Sequence, residues 1–348
     1  MMTKKNKVLT TVGSVLGVAF ITLGTLYFVW DYKPKSKHVV DEWNYTDTYT
    51  DKYVATLNKD PNKDFTILNL ADIQVSDFEG IGENKNMKNL IKELINKTNP
   101  SLITLTGDQI WTNHSKNALK REIKWFSSFG IPWAPVFGNH DLEGTATPDW
   151  ACKKLERAKN CLFKRGPSNL GSLGNYVVNV KEGNKIVKSC YMMNLGSVDE
   201  FSSGQVNFVK WHAENNKNES EFPEGITFMH QAIDVYNDAY YYHKNDAIGD
   251  VYRSFYIADP GSGAEYLKMA KTINMTDFVC GHQHGNCWTI PVDGIRYTFA
   301  LKTGDNCSTY ESVEGTDDFI VGGTSIKLSG GETIVTHNFV GKEFQTEK

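Results

Sequence analysis

Several short apolar segments of this chain end in residues that can bind a metal ion, and this pattern limits the possible folds most strongly. Three such segments lie in the first half: residues 65–71 followed by Asp72 and Gln74, residues 101–106 followed by Gly107 and Asp108, and residues 133–137 followed by Gly138, Asn139, His140 and Asp141. Short apolar runs bounded by glycine or polar residues are typical of buried β-strands. We therefore expect strands whose carboxyl ends carry polar side chains.

Two amphipathic helices are predicted between these strands. Residues 84–99 carry apolar side chains three and four positions apart, and Pro100 follows them. Residues 117–129 show a similar pattern. Because crossovers between parallel strands are right-handed, the three strands should run parallel, with their carboxyl ends at one edge of a sheet. Open α/β folds bind their ligands at that edge.

The second half of the chain adds two more strands of this kind. Residues 225–229 run into His230, and residues 277–280 run into Gly281 and then His282 and His284. The other elements predicted here are a loop at 144–175 with one helix carrying Cys152, a hairpin of residues 175–180 and 189–195, helices at 205–214 and 265–271, and strands from residue 295 onward that close a second sheet.

The residue types at these five strand ends favour a metal centre. Each ending alone would be explained by a polar turn, but five in one α/β pattern are hard to explain as turns. Carboxylate, amide and imidazole ligands together suit Zn²⁺, Mn²⁺ or iron and do not suit Ca²⁺. A pair of such cations needs one shared carboxylate, and Asp108 is the natural bridge.

The motifs resemble, in order and spacing, the five signature blocks of the calcineurin-like metallophosphoesterases. The matching blocks are Asp72 with Gln74, Gly107-Asp108, Gly138-Asn139-His140-Asp141, His230, and Gly281-His282-Gln283-His284. Phe228 and Met229 before His230, with Tyr236 to Tyr240 after it, look like the branch related to purple acid phosphatases. The resemblance implies a four-layer α/β/β/α sandwich.

The resemblance also implies a role for each matching residue. Asp72, Gln74, Asp108 and His284 would hold one divalent cation, and Asp108, Asn139, His230 and His282 would hold the other. His140 would protonate the leaving-group oxygen or stabilise charge on the phosphoryl group, oriented by a nearby carboxylate such as Asp141. These two residues are the predicted catalytic residues. The cofactors would be two ions of manganese, zinc or iron, and a metal-bound hydroxide would attack phosphorus.

Two positions depart from the family pattern. Gln74 stands where most of the family has histidine, although some branches carry glutamine, and its neutral amide oxygen is a weaker ligand than imidazole. Trp111 stands where purple acid phosphatases place an iron-binding tyrosine, and tryptophan has no atom to offer a metal. A purple iron–tyrosinate centre is therefore not expected.

The N-terminus predicts a membrane anchor. Residues 8–30 form an uncharged apolar run long enough to cross a bilayer, preceded by three lysines. We expect residues 1–7 in the cytoplasm, 8–30 as a transmembrane signal anchor, 31–64 as a stalk, and 65–348 as an extracytoplasmic catalytic domain. The competing interpretation is a cleaved signal peptide, which would make the protein secreted.

Composition limits the partners. The chain is 22% charged with a formal net charge of −4, which is ordinary for a globular protein and lacks the basic character of nucleic-acid binding. No nucleic-acid partner is expected. Six cysteines would permit local bridges, such as Cys152 to Cys161 or Cys280 to Cys287. A zinc site at the last pair competes with the phosphoesterase interpretation.

Two functions follow from these patterns. The first is metal-dependent hydrolysis of phosphate mono- or diesters outside the cytoplasm, acting on a phosphorylated small molecule, lipid headgroup or polymer. The alternative, motivated by Gln74, is a catalytically degenerate fold-mate that binds a phosphorylated ligand or a surface partner.

Overall fold

The computed structural model describes residues 40–76, 81–196, 200–249, 251, 263–304 and 321–339. Its strands are β1 (Val54–Asn58), β2 (Phe65–Leu70), β3 (Leu102–Thr106), β4 (Trp133–Val136), β5 (Tyr176–Glu182), β6 (Lys185–Met192), β7 (Glu224–Phe228), β8 (Met275–Cys280), β9 (Trp288–Val292), β10 (Ile295–Phe299), β11 (Gly322–Ser329) and β12 (Glu332–Phe339). Its α-helices are α1 (Ile81–Thr98), α2 (Ser115–Phe129), α3 (Pro148–Leu155), α4 (Ser203–Asn215), α5 (Val235–His243) and α6 (Ala264–Ala270).

The strands form two sheets. One has five strands in the order β12-β11-β2-β3-β4, and the other has seven in the order β1-β5-β6-β7-β8-β10-β9. The predicted parallel arrangement of the first three core strands is confirmed, because β3 pairs in parallel with both β2 and β4. The predicted hairpin is confirmed by the antiparallel pairing of β5 with β6.

The core lies between the two sheets and extends under the helices. One apolar cluster joins β2 and β3 to inward-facing residues of the seven-stranded sheet, such as Val178, Met192 and Phe228, and includes the buried face of α1. A second cluster packs α4, α5 and α6 against the seven-stranded sheet. The architecture is a mixed α/β sandwich.

The tail from residue 295 differs from the prediction of a single closing sheet. β10 pairs with β8 in the seven-stranded sheet. β11 and β12 instead extend the five-stranded sheet, with β11 antiparallel to β2. The tail therefore contributes to both sheets.

The segment predicted as a stalk also differs from expectation. β1 lies within it and pairs in parallel with β5 at the end of the seven-stranded sheet. Trp43 is buried, with its ring 5.6 Å from that of Phe208 and 5.5 Å from that of Trp211 on α4. Residues 40–64 therefore belong to the folded domain, since burial of these aromatic side chains holds them there.

The predicted membrane anchor at residues 8–30 lies outside the described residues. In the part of the chain that the structure describes, no helix is long and apolar enough to cross a membrane.

Neither local disulfide suggested by cysteine spacing is present. Cys152 on α3, Cys161 and Cys280 all carry free thiols. The backbone of Cys161 instead pairs with that of Trp133 on β4 in an isolated parallel β-bridge. Burial raises the pKa of the Cys152 thiol to about 12, which makes it a poor nucleophile.

Candidate metal centre

The predicted ligands lie in tight turns directly after their strands. Four of them adopt left-handed backbone conformations, namely Asp72 (φ 52°), Gln74 (φ 54°), Asp108 (φ 49°) and His282 (φ 72°). Non-glycine residues rarely adopt such angles, and strained backbone of this kind is concentrated at functional sites. The turns aim side chains from both sheets toward one region, since Asp72, Asp108 and Asn139 follow β2, β3 and β4, whereas His230 and His282 follow β7 and β8.

Glycines allow the ligand side chains to approach one another. A Cβ atom on Gly138 would lie 2.2 Å from Asp108 Oδ1, and one on Gly107 would lie 2.4 Å from His230 Nδ1. Gly107 also has a positive φ of 81°. The glycines of the sequence motifs are therefore required by contact, beyond any turn preference.

Three of the other predicted ligands converge on the buried imidazole of His230. Its Nε2 atom lies 3.0 Å from Asn139 Oδ1, 3.1 Å from His282 Nδ1 and 3.3 Å from Asp108 Oδ1. Its Nδ1–H donates to the Thr106 carbonyl at 2.9 Å. Because a carbonyl can only accept, this bond directs Nε2 to the other three side chains, as at metal-bound histidines.

The remaining predicted ligands form a second group. His284 Nε2 lies 3.3 Å from Asp72 Oδ1 and 3.4 Å from Gln74 Nε2. The His282 backbone N–H donates to both Asp72 carboxylate oxygens, at 3.0 and 3.2 Å. This contact joins the second group to the first. The bridging role of Asp108 stays a prediction, because the described contacts of its carboxylate are with His230 and His140 and none is with the second group.

The donor set fits metal ions. One ligand atom from each of Asp108, His230 and His282 lies within 4.8 Å of the others. The Gln74 Oε1 atom is buried and has no hydrogen-bond partner among the described residues. A buried acceptor of this kind is costly unless something binds it. The cluster of Asp108, His230 and His282 contains no cysteine. Among the described residues it therefore gives no support to a zinc site at Cys280 and Cys287.

Electrostatics couple Asp108 to His230. Burial alone would raise the pKa of Asp108, but attraction to His230 outweighs it and lowers the pKa to about 2. Burial likewise opposes charge on His230, yet attraction to Asp108 raises its pKa to about 10. A metal ion that binds His230 would require the neutral imidazole, because imidazole ligates metals in that form.

His140 lies at the edge of this centre. Its backbone N–H donates to Asp108 Oδ1 at 2.9 Å, while its side-chain Nε2 lies 3.9 Å from Asp108 Oδ2. The side chain is 30% exposed, so a substrate can reach it. The exposed ring of Trp111 lies 6.1 Å from the imidazole. His140 therefore faces solvent beside the predicted ligands, as expected for a proton donor.

The sequence suggested a nearby carboxylate such as Asp141 as the group that orients His140, and the structure shows the contact with Glu143 instead. His140 Nδ1 lies 2.8 Å from Glu143 Oε2. Asp141 is buried, and its two oxygens accept the backbone N–H groups of Ile110 at 2.9 Å and Gly138 at 2.7 Å. Asp141 therefore braces the turn. Burial, followed by repulsion from Asp108, raises the pKa of Asp141 to about 8.

Comparison with family models identifies the chain. Residues 65–286 match the model for calcineurin-like phosphoesterases. The chain belongs to the calcineurin-like phosphoesterase family. The matched region contains every predicted ligand.

Curated relatives of this phosphoesterase are distant. Phosphatase DCR2 of Saccharomyces cerevisiae is 24% identical over 66% of the chain, and probable inactive purple acid phosphatase 14 of Arabidopsis thaliana is 21% identical over 67%. The matched regions cover 45% and 66% of those proteins, so the chain spans less than two thirds of their length.

Solved structures with the same fold are similarly distant. A dimetal phosphatase from Danio rerio superposes with a TM-score of 0.50 at 13% identity, covering 76% of this chain and 93% of that one. GAP50, the anchor in the inner membrane complex of Plasmodium, has a TM-score of 0.50 at 16% identity, covering 80% and 84%. These similarities support the fold alone.

Proposed function

We propose that this phosphoesterase hydrolyses phosphate mono- or diesters at a dinuclear metal centre. The observation that carries the proposal is the pair of joined ligand groups, one around His230 and one around Asp72, with the buried Gln74 oxygen left without a partner. When bound, two cations would activate water and offset charge on the phosphoryl oxygens. Asp72, Gln74 and His284 would hold one ion, and Asn139, His230 and His282 the other, with Asp108 shared.

His140 supplies the proton in this proposal. Its imidazole is 30% exposed, with Nδ1 2.8 Å from Glu143 Oε2 and Nε2 3.9 Å from Asp108 Oδ2. Imidazole is a suitable acid near neutral pH. Protonation of the departing oxygen would allow an alcohol to leave as a neutral molecule.

The activity test uses 4-nitrophenyl phosphate and bis(4-nitrophenyl) phosphate with protein supplied with Mn²⁺, Zn²⁺ or Fe²⁺. We expect hydrolysis of at least one ester, reduced at least roughly 10²-fold by Asp108→Asn, since loss of a shared ligand removes charge from both cation positions. Glu265→Gln, on the exposed face of α6, is the matched control. Inert wild-type protein carrying both metals would contradict the proposal.

The cellular location is proposed from the N-terminal sequence. Residues 8–30 would anchor the chain in a membrane as a single pass, with the catalytic domain outside the cytoplasm, or would direct secretion if cleaved. Substrates in that compartment include phosphorylated small molecules, lipid headgroups and polymers. Protease added to intact cells should digest the domain. Protection from protease until the cells are lysed would contradict this location.

A second candidate is a binding protein without turnover. Gln74 in place of histidine, a relative named as a probable inactive phosphatase, and a fold neighbour described as a membrane-complex anchor favour it. Turnover separates the candidates, because a binding protein would retain a phosphorylated ligand without releasing phosphate.

A further inference from the structure

A cavity of about 580 Å³ opens beside the candidate metal centre. Gly138 and Asn139 form one wall, the start of α3 forms another, and the loops around Leu173 and Asn194 form the rest. Because Asn139 belongs both to this wall and to the ligand group around His230, a phosphate at the centre would place its ester substituent in the cavity. The volume lies within the range of small-molecule sites, about 300–1,000 Å³.

The described residues that line the cavity offer no positive charge. Among the described residues that line it, Asp149 is the ionisable side chain, and its carboxylate is ion-paired with Arg165. The Arg165 Nη2–H also donates to the Asp149 carbonyl at 3.2 Å, which turns the guanidinium toward α3. An anionic substituent in this cavity would lose water without gaining a counter-charge, which is costly.

The remaining walls combine apolar surface with hydroxyl and amide groups. Phe137, Leu142 and Leu173 supply the apolar part. Ser168 Oγ accepts the Asp41 N–H at 2.9 Å and donates to no described residue, so its proton can reach a ligand oxygen. This mixture suits an organic alcohol with both hydroxyl groups and apolar surface.

The cavity is already formed by hydrogen bonds within its walls. Asn194 Nδ2 donates to the Leu173 carbonyl at 2.7 Å, and the Ser172 hydroxyl donates to the Asn194 carbonyl. Asn169 exchanges bonds of 3.1 and 2.8 Å with the Trp43 backbone, which ties the loop to the segment before β1. A preformed site loses little entropy when it binds a ligand.

We infer that this cavity selects phosphate esters whose leaving group is a neutral, hydroxyl-bearing alcohol of about nucleoside or glycoside size. The inference rests on the proposed function, because the phosphate must lie at the metal centre. The cavity would bind less well the esters that carry a second phosphate, such as nucleoside bisphosphates and polyphosphorylated polyols.

Uridine 5′-monophosphate and uridine 3′,5′-bisphosphate form a matched substrate pair, because hydrolysis breaks a phosphate ester bond in both. Removal of the 5′-phosphate releases neutral uridine from the first and the anionic uridine 3′-phosphate from the second. We expect kcat/KM for the monophosphate to exceed that for the bisphosphate at least roughly tenfold. Leu173→Arg, which adds a cation to the cavity, should reduce or reverse that ratio.

Ile334→Arg is the control, since it adds the same charge at an exposed position on β12 and should keep the wild-type ratio. Thermal melting of each variant verifies folding. A second readout needs no turnover: uridine alone should raise the melting temperature of wild-type protein and of Ile334→Arg, and should do so less for Leu173→Arg.

The outcomes separate the two proposals. Suppose that the protein hydrolyses 4-nitrophenyl phosphate, acts on both uridine esters with equal efficiency, and shows the same ratio in Leu173→Arg. That result would overturn the cavity inference and leave the proposed function standing. If the protein hydrolyses no ester, yet uridine raises the melting temperature of the wild type more than that of Leu173→Arg, the proposed function would be overturned instead. Absence of uridine binding would count against the cavity inference alone.

Discussion

At the scale of single residues, the carboxylate of Glu143 lies against the imidazole of His140, the proposed proton donor. The strand-end motifs named the side chains whose contacts around His230 and Asp72 are described, because carboxylate, amide and imidazole groups stand directly after apolar runs. Glu143 carries no such signal. An exposed glutamate three residues after a histidine is indistinguishable from a surface residue until its 2.8 Å contact with Nδ1 is seen.

Replacement of Glu143 tests its positioning role. Glu143→Gln keeps the size of the side chain but removes the charge that holds the imidazole. We expect kcat to fall roughly tenfold with KM little changed, because orientation of an acid affects the transition state more than substrate binding. Steady-state kinetics against Glu265→Gln would show this. A rise in KM at constant kcat would mean that Glu143 contacts substrate instead.

At the scale of elements, α2 carries a buried acid whose effect on stability depends on pH. Neither carboxylate oxygen of Glu122 has a hydrogen-bond partner among the described residues. Burial, followed by repulsion from Asp141, raises the pKa of Glu122 well above 4.5. The folded state therefore keeps a proton that the unfolded state releases above about pH 4.5, so this residue contributes less stability as pH rises.

Glu122→Gln should remove that dependence. Relative to the variant, the wild-type free energy of unfolding should fall by about 1.4 kcal/mol per pH unit above the unfolded pKa, until the folded pKa is reached. Urea unfolding at a series of pH values measures the difference, with exposed Glu265→Gln as control. Parallel curves for wild type and Glu122→Gln would show that Glu122 is ionised in the folded protein.

The segment before β1 provides a second prediction at this scale. The aromatic and polar composition of residues 31–64 predicted a stalk, because a single buried tryptophan gives no periodic signal. In the structure Trp43 packs on α4. We expect Trp43→Ala to lower the free energy of unfolding by about 3–5 kcal/mol, measured by urea denaturation. Val40→Ala, at a 65% exposed position, should have little effect, and equal effects would contradict this packing role.

At the scale of the whole molecule, the candidate centre joins the two sheets. The sequence predicted three parallel strands with their ends together, and the pairing of β3 with β2 and β4 confirms this. That His230 and His282 come from the other sheet depends on long-range packing, which local patterns do not contain. Cations bound between these groups would therefore hold the sheets together.

Removal of metal should thus destabilise the whole fold. Ligand at about 100 times its dissociation constant adds about 2.7 kcal/mol of stability, so a chelator should lower the melting temperature by several degrees. Calorimetry with and without chelator measures the shift. His230→Ala, which removes a ligand of one of the two proposed ions, should show a smaller chelator-induced shift than the wild type. A shift in His230→Ala equal to that of the wild type would show that the metal ion whose removal destabilises the fold does not depend on His230.

Metal stoichiometry tests the central claim most directly. Purified protein supplied with Mn²⁺ or Zn²⁺, freed of unbound ions and measured by elemental analysis, should carry about two ions per chain. Asp108→Asn should carry about one or fewer, whereas Glu143→Gln should keep the wild-type value. A wild-type chain that binds no metal, or an Asp108→Asn chain with unchanged content, would show that these strand ends do not form a dinuclear centre.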